Sequence, residues 1–154
     1  MLTPRTQVTS AKPPGLFRRL WLRQRARREA QRERQRIAEL PSWEKYRLDQ
    51  DEHGLTWRPQ YPHLGEPIRI LWRDVEKVEA YKLDLYAFDR VCLLFTTPGF
   101  CLEVSEDEAG FEDLTEVLPR RLPDFPSPVG WVHDVMVDPF ETNHAVLFDR
   151  TIAV

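Results

Sequence analysis

The residues best equipped for chemistry gather in a few places. Glu103, Glu106, Asp107 and Glu108 crowd one short stretch, and paired carboxylates can exchange protons in hydrolytic sites. His133 precedes Asp134, and a histidine oriented by a carboxylate is a general base. Cys101 would be a nucleophile if its thiol ionised. Each group also has a simpler explanation. Acidic side chains in the first turn of a helix favour the positive end of its dipole, by about 0.3–1 kcal/mol each. Neighbours on a helix diverge by about 100°, so His133 and Asp134 read as a half-exposed polar face. Glu103 should alternate outward from a strand. Cys92 and Cys101 lie in the apolar runs Val91–Phe95 and Phe100–Val104 and read as buried thiols. If the chain turns at Pro98-Gly99, Cys101 faces Thr96 and Cys92 lies about four residues further along, roughly 13 Å away, too far for a bridge.

Other chemistries lack their motifs. The six glycines never approach the G-x-G-x-x-G or Walker spacing. No G-x-S-x-G elbow exists, and the serines look like tail, boundary and caps. His53, His63, His133 and His144 are scattered, without H-E-x-x-H or C-x-x-C. The sequence therefore points to no catalytic residue, no metal and no cofactor.

Binding is better supported. The loop Leu85-Tyr86-Ala87-Phe88 is flanked by Lys82, Asp84, Asp89 and Arg90. Exposed aromatic residues ringed by charge are common in binding hot spots. The binding set is Tyr86, Phe88 and Asp89 with Glu103, Glu106 and Asp107, and the partner it suits is a protein, a basic one by charge. The alternative is a solvated hairpin with weak surface ion pairs. Asn143 is expected in a left-handed turn.

The net charge of −3 over 154 residues conceals an asymmetry. Residues 1–40 sum to +8 and residues 41–154 to −11. The basic part is a helical arm over 16–40, free of Pro and Gly, with Arg18, Arg19, Arg23, Arg25, Arg27 and Arg28 in its first half. It reads as a solvated helix, an anionic-membrane contact, a nucleic-acid contact, or a partner for an acidic surface. An acidic body would repel a phosphate backbone. The stretch after Phe17 has too many arginines for a secretory leader. No run of about 18 apolar residues exists, so the expected location is the cytoplasm.

Three zones position these groups. Residues 1–15 read as a disordered tail, residues 16–40 as the arm, and residues 43–154 as an acidic α+β domain. In the last, strands are expected at Leu55–Arg58, Ile68–Trp72, Val75–Leu85, Val91–Phe95, Phe100–Val104 and Ala145–Phe148. Val91–Phe95 shows no alternation and should be central, and a bulge near Ala80 would explain a change of face. Ser105 and Glu108 fit a capping box before the helix face Phe111, Leu114, Leu118 and Leu122, which Pro119 ends or kinks. Ser127-Pro128 opens a second helix with Trp131, Val132, Val135 and Met136 buried, stopped by Pro139. The architecture predicted is an antiparallel sheet of about five to six strands, with both helices on one face, preceded by the basic helix.

The run Ile70-Leu71-Trp72-Arg73-Asp74-Val75-Glu76-Lys77-Val78-Glu79-Ala80-Tyr81-Lys82-Leu83-Asp84 resembles the W-x-D-I-x-x-I-x-A-x-K-x-D segment of a group of small uncharacterised bacterial proteins. The likeness continues through Asp89–Phe95, Glu103-Val104-Ser105-Glu106, Gly110-Phe111, Leu118-Pro119, Trp131 and Pro139-Phe140-x-x-Asn143. Some of those proteins resemble immunity proteins of toxin systems, and the strand and helix order resembles a pleckstrin-homology-like sheet. The resemblance implies a binding protein whose partner is a toxin. It carries over no catalytic residue, and the basic arm lies outside it.

Overall fold

The computed structural model describes residues 15–85, 88–136 and 143–152. The expectations for residues 1–14, for Tyr86 and for Pro139 as a helix stop fall outside them. The chain divides into two compact units, one ending at Glu39 and one starting at Leu40. Among the described residues the first contains one helix, α1 (Leu16–Glu39). Its long straight side chains suit a helix, and Arg25–Glu29 and Arg36–Glu33 pair along it at 2.8 and 2.7 Å.

The second unit is α+β. It begins with a one-turn helix, α2 (Ser42–Lys45), and continues with β1 (Tyr46–Gln50), β2 (Gly54–Pro59) and β3 (Ile68–Leu71), then β4 (Lys77–Asp84), β5 (Asp89–Thr97) and β6 (Phe100–Ser105). Helices α3 (Phe111–Arg121) and α4 (Pro128–Met136) follow, and β7 (His144–Asp149) closes it. The strands form two antiparallel sheets, ordered β1-β2-β3 and β6-β5-β4-β7. This corrects the single sheet of five to six strands. β1 escapes detection because Leu48 is its one buried side chain. The sheets part at Trp72–Asp74, a short 3-10 turn. Arg150 holds that turn by donating to the carbonyls of Val75 and Trp72 at 2.9 and 3.2 Å. One continuous core joins Leu48, Leu55 and Ile70 of the smaller sheet to Val78, Leu93 and Phe95 of the larger.

In the larger sheet Val78, Ala80 and Lys82 point into the body, while Lys77, Glu79 and Tyr81 take the other face. The alternation of β4 is clean. The bulge lies on β7, where Val78 faces Phe148 but Glu79 faces Val146, leaving Leu147 extra. The sequence misleads here because the inward residue after Ala80 is a lysine. Lys82 is fully buried, its ammonium 3.3 Å from Asp89, so it is no surface charge. β5 is central and buries Val91, Cys92, Leu93 and Phe95, and its register sets Thr96 opposite Cys101.

Ser105 and Glu108 do not cap a helix. They close a turn, and α3 starts at Phe111, after Gly110 at φ 93°. A Cβ on Gly110 would meet the Leu48 carbonyl oxygen at 2.2 Å. That close approach lets the Leu48 N–H donate to the Ala109 carbonyl at 2.8 Å, covering part of the edge of β1. α3 buries Phe111, Leu114 and Leu118, and includes Pro119 two residues before its end. α4 starts at Pro128 as expected and buries Trp131 and Val135, while Met136 is exposed. α4 lies against β4 and β7, and α3 against β1, and the buried faces of both helices join the common core. Asn143 is not left-handed, since Asp124 is the only non-glycine residue with positive φ among those described. Its side-chain amide donates to the Val135 carbonyl instead, at 3.1 Å.

Candidate functional site

The acidic stretch, the start of β5 and α2 meet along one edge of the body. Arg90 organises it. Its guanidinium reaches Asp107 at 2.5 Å and stands 4.4 Å from the Trp43 ring centre and 5.5 Å from that of Phe88. Such stacking favours Arg, whose planar cation is weakly hydrated. Phe88 remains 54% exposed. Asp89 is turned toward Lys82.

The other carboxylates of the stretch also hold internal partners. Glu106 accepts the Val91 N–H at 2.7 Å with its side chain, and its own N–H donates to the Val91 carbonyl at 3.0 Å. Glu108 is buried and accepts the Trp57 indole N–H at 3.3 Å and the Ser105 N–H at 3.4 Å. Burial pushes its carboxyl pKa up, against the hydrogen bond from Trp57. Trp57 in turn stacks on Tyr46, ring centres 3.7 Å apart. Glu103 is exposed and accepts the Tyr81 hydroxyl.

Cys92 sits opposite Tyr81. Burial, reinforced by the negative charge of Glu103, pushes its thiol up to about 12. Such a thiol stays protonated at neutral pH and is a poor nucleophile. Burial and the same glutamate raise the Tyr81 phenol. Both thiols are unbridged, and Cys101 is exposed rather than buried, because it lies on the outward face of the edge strand β6. Its sulfur is 3.8 Å from the Thr96 hydroxyl.

On the opposite edge strand, His144 lies 2.9 Å from Glu79, which also takes Lys77 at 2.8 Å. Lys77 holds the Glu79 carboxyl below its ordinary range, despite partial burial. Sequence reading missed this trio, which only register brings together across 65 residues. Cys101 and His144 occupy opposite edges of the four-stranded sheet, three strand spacings or about 14 Å apart at the least. His133 and Asp134 are exposed on α4, 3.8 Å apart. The candidate nucleophile and these bases therefore do not converge. Among the described residues no three His, Cys, Asp or Glu side chains gather where they could hold a metal ion.

The outer face of the smaller sheet is charge-paired as well. Asp49 bridges Arg47 and Arg58 at 2.6 and 2.8 Å. In the β1–β2 turn, Asp51 accepts the N–H groups of His53 and Gly54 at 2.8 and 2.9 Å and both oxygens bond Arg69 at 2.8 Å. Arg69 first, then the His53 N–H, lowers its carboxyl to about 2. A groove of about 440 Å³ lies between β3 and the β5–β6 turn, lined by Ile68, Ile70, Asp74, Pro98 and Phe100.

In the other unit, α1 carries Arg18, Arg19, Arg23, Arg27 and Arg28 exposed, with Arg25 paired to Glu29. Among the described residues no helix is long and apolar enough to cross a membrane. No family model, curated protein or solved structure matches the chain.

Proposed function

We propose that the chain is a non-catalytic protein-binding module that acts as an immunity protein does, by covering the active site of a basic toxin. The observation that carries this is the stack Trp43–Arg90–Phe88, locked by Asp107. It offers an exposed phenyl ring on a pre-ordered base, which reduces the entropy lost on binding. Aromatic and arginine anchors of this kind dominate interface energetics. Glu103, Glu106 and Asp107 around it supply the negative field that speeds encounter with a cationic partner. The engagement of each carboxylate in a hydrogen bond or ion pair supports a positioning role over turnover.

The test is to express the protein with the product of the neighbouring gene and titrate the two calorimetrically. The proposal expects a complex, relief of growth inhibition by that product, and at least about tenfold weaker binding for Phe88→Ala at unchanged thermal stability. Absence of both heat and relief contradicts it.

A further inference from the structure

α1 presents a second surface, independent of the body edge. Successive residues turn by about 100°, so Leu16, Phe17, Leu20 and Trp21 fall within an arc of roughly 140° in the first two turns. All four are exposed, Phe17 at 87% and Trp21 at 57%. By the same geometry Arg23 and Arg34 border this arc on one side and Arg25 and Arg32 on the other, while Arg27 and Arg28 fall just inside its two edges, further along the helix. Glu29 and Glu33 lie on the opposite side of the helix. Among the described residues only Arg25 and Arg36 of this helix form ion pairs. Arg25 also stands over the Trp21 ring, 5.6 Å from its centre.

We infer that α1 docks flat on an anionic lipid surface. An amphipathic helix with a basic polar face and bulky apolar residues lies in the interface plane, its ring systems at the headgroup level. The flanking arginines can keep their stems along the acyl boundary and their charges at the phosphates. The lower arc carries Gln24, Gln31 and Gln35, so insertion is confined to the first two turns and the rest of the helix is held by charge. Phosphate contact alone, as with nucleic acid, would use the arginines and leave the Leu-Phe-Leu-Trp wedge without a role. The occupant committed to is therefore a bilayer bearing acidic headgroups.

Flotation of the full-length protein tests this, with phosphatidylcholine vesicles and with vesicles one-quarter phosphatidylglycerol, in about 0.1 M salt. The proposal expects binding to the anionic vesicles at least about tenfold above the neutral ones. Phe17→Ala/Trp21→Ala and Arg23→Gln/Arg27→Gln/Arg34→Gln should each lower it about tenfold. Both variants keep good helix formers, and circular dichroism is the check that their helicity is retained. Absence of flotation overturns the proposal. So does an apolar variant that binds as well as the parent, which would leave charge alone at work. Tighter binding to a 20-base-pair duplex than to vesicles at the same salt also overturns it and assigns the arm to nucleic acid. None of these outcomes depends on the partner of the body edge.

Discussion

The acidic edge of the body and the basic helix α1 use charge in opposite ways. In the body nearly every prominent carboxylate is committed internally: Asp107 to Arg90, Glu106 to the Val91 backbone, Glu108 to Trp57, Asp51 to Arg69. On α1 the majority of the arginines form no ion pair among the described residues, and the large apolar side chains beside them face outward. The difference teaches that a charge cluster seen in sequence has no fixed meaning. Where the chain folds back on itself, the cluster is absorbed by backbone N–H groups and indoles. Where it stands on a single helix, nothing within that helix can absorb it beyond i,i+3 and i,i+4 pairs.

The largest effect should come from Glu108. Replacement by alanine leaves the Trp57 indole and the Ser105 N–H without their acceptor, and should cost about 2–3 kcal/mol in urea unfolding. Glutamine keeps an acceptor oxygen and loses the charge. Because burial raises the folded-state pKa of Glu108, ionisation costs stability as pH climbs from the ordinary glutamate range through that raised value. Glu108→Gln should therefore match or exceed the parent at pH 7 and lose its advantage near pH 4. A glutamine variant as unstable as the alanine one would show that the charge itself is needed.

Next in size is Arg90. Arg90→Ala removes the Asp107 contact and the stack on Trp43 together, an expected loss of about 1–2 kcal/mol. Red-shifted emission from the newly uncovered Trp43 should accompany it, and an unchanged melting curve would mean the edge is not pre-ordered. The smallest effect belongs to Asp51. Its folded pKa of about 2 lies below the usual 3.8, so its stabilising contribution is complete above pH 3.8 and vanishes as pH falls toward 2. Asp51→Asn keeps the turn acceptor but loses the ionised pair with Arg69. Acid unfolding followed by circular dichroism should flatten in that window, and an identical acid limb would assign it to other groups.

Much of this was legible in the sequence, for reasons tied to particular residues. The unbroken run Val91–Phe95 announced a central strand, Thr97-Pro98-Gly99 its hairpin, and Ser127-Pro128 the start of α4. Phe111, Leu114, Leu118 and Leu122 announced the buried face of α3. The failures share one cause, which is that tertiary partners override local pattern. A lysine in the inward register of β4 looks like surface until Asp89 is seen beside it. Ser105 and Glu108 look like a cap until Trp57 and the close approach of Gly110 to Leu48 claim the turn. β1 is polar on both faces but for Leu48, and the trio Lys77–Glu79–His144 exists only through the pairing of β4 with β7. Of the candidate edge, Phe88, Asp89 and the acidic residues were named from the sequence, and the structure leaves the Phe88 ring exposed and turns Asp89 toward Lys82. Arg90 was noticed only as a flanking charge, because its partners Trp43 and Asp107 lie far from it in the chain.

The division between committed and uncommitted charge has one direct measurement. Urea unfolding, followed by the near-ultraviolet dichroism of the body tryptophans, should be compared for Arg90→Ala and for Arg23→Gln/Arg27→Gln/Arg34→Gln. The account expects the single body substitution to lower the midpoint and the triple helix substitution to leave it within about 0.5 kcal/mol of the parent. A triple variant that unfolds as early as Arg90→Ala would contradict it, since the helix arginines would then be part of what holds the fold.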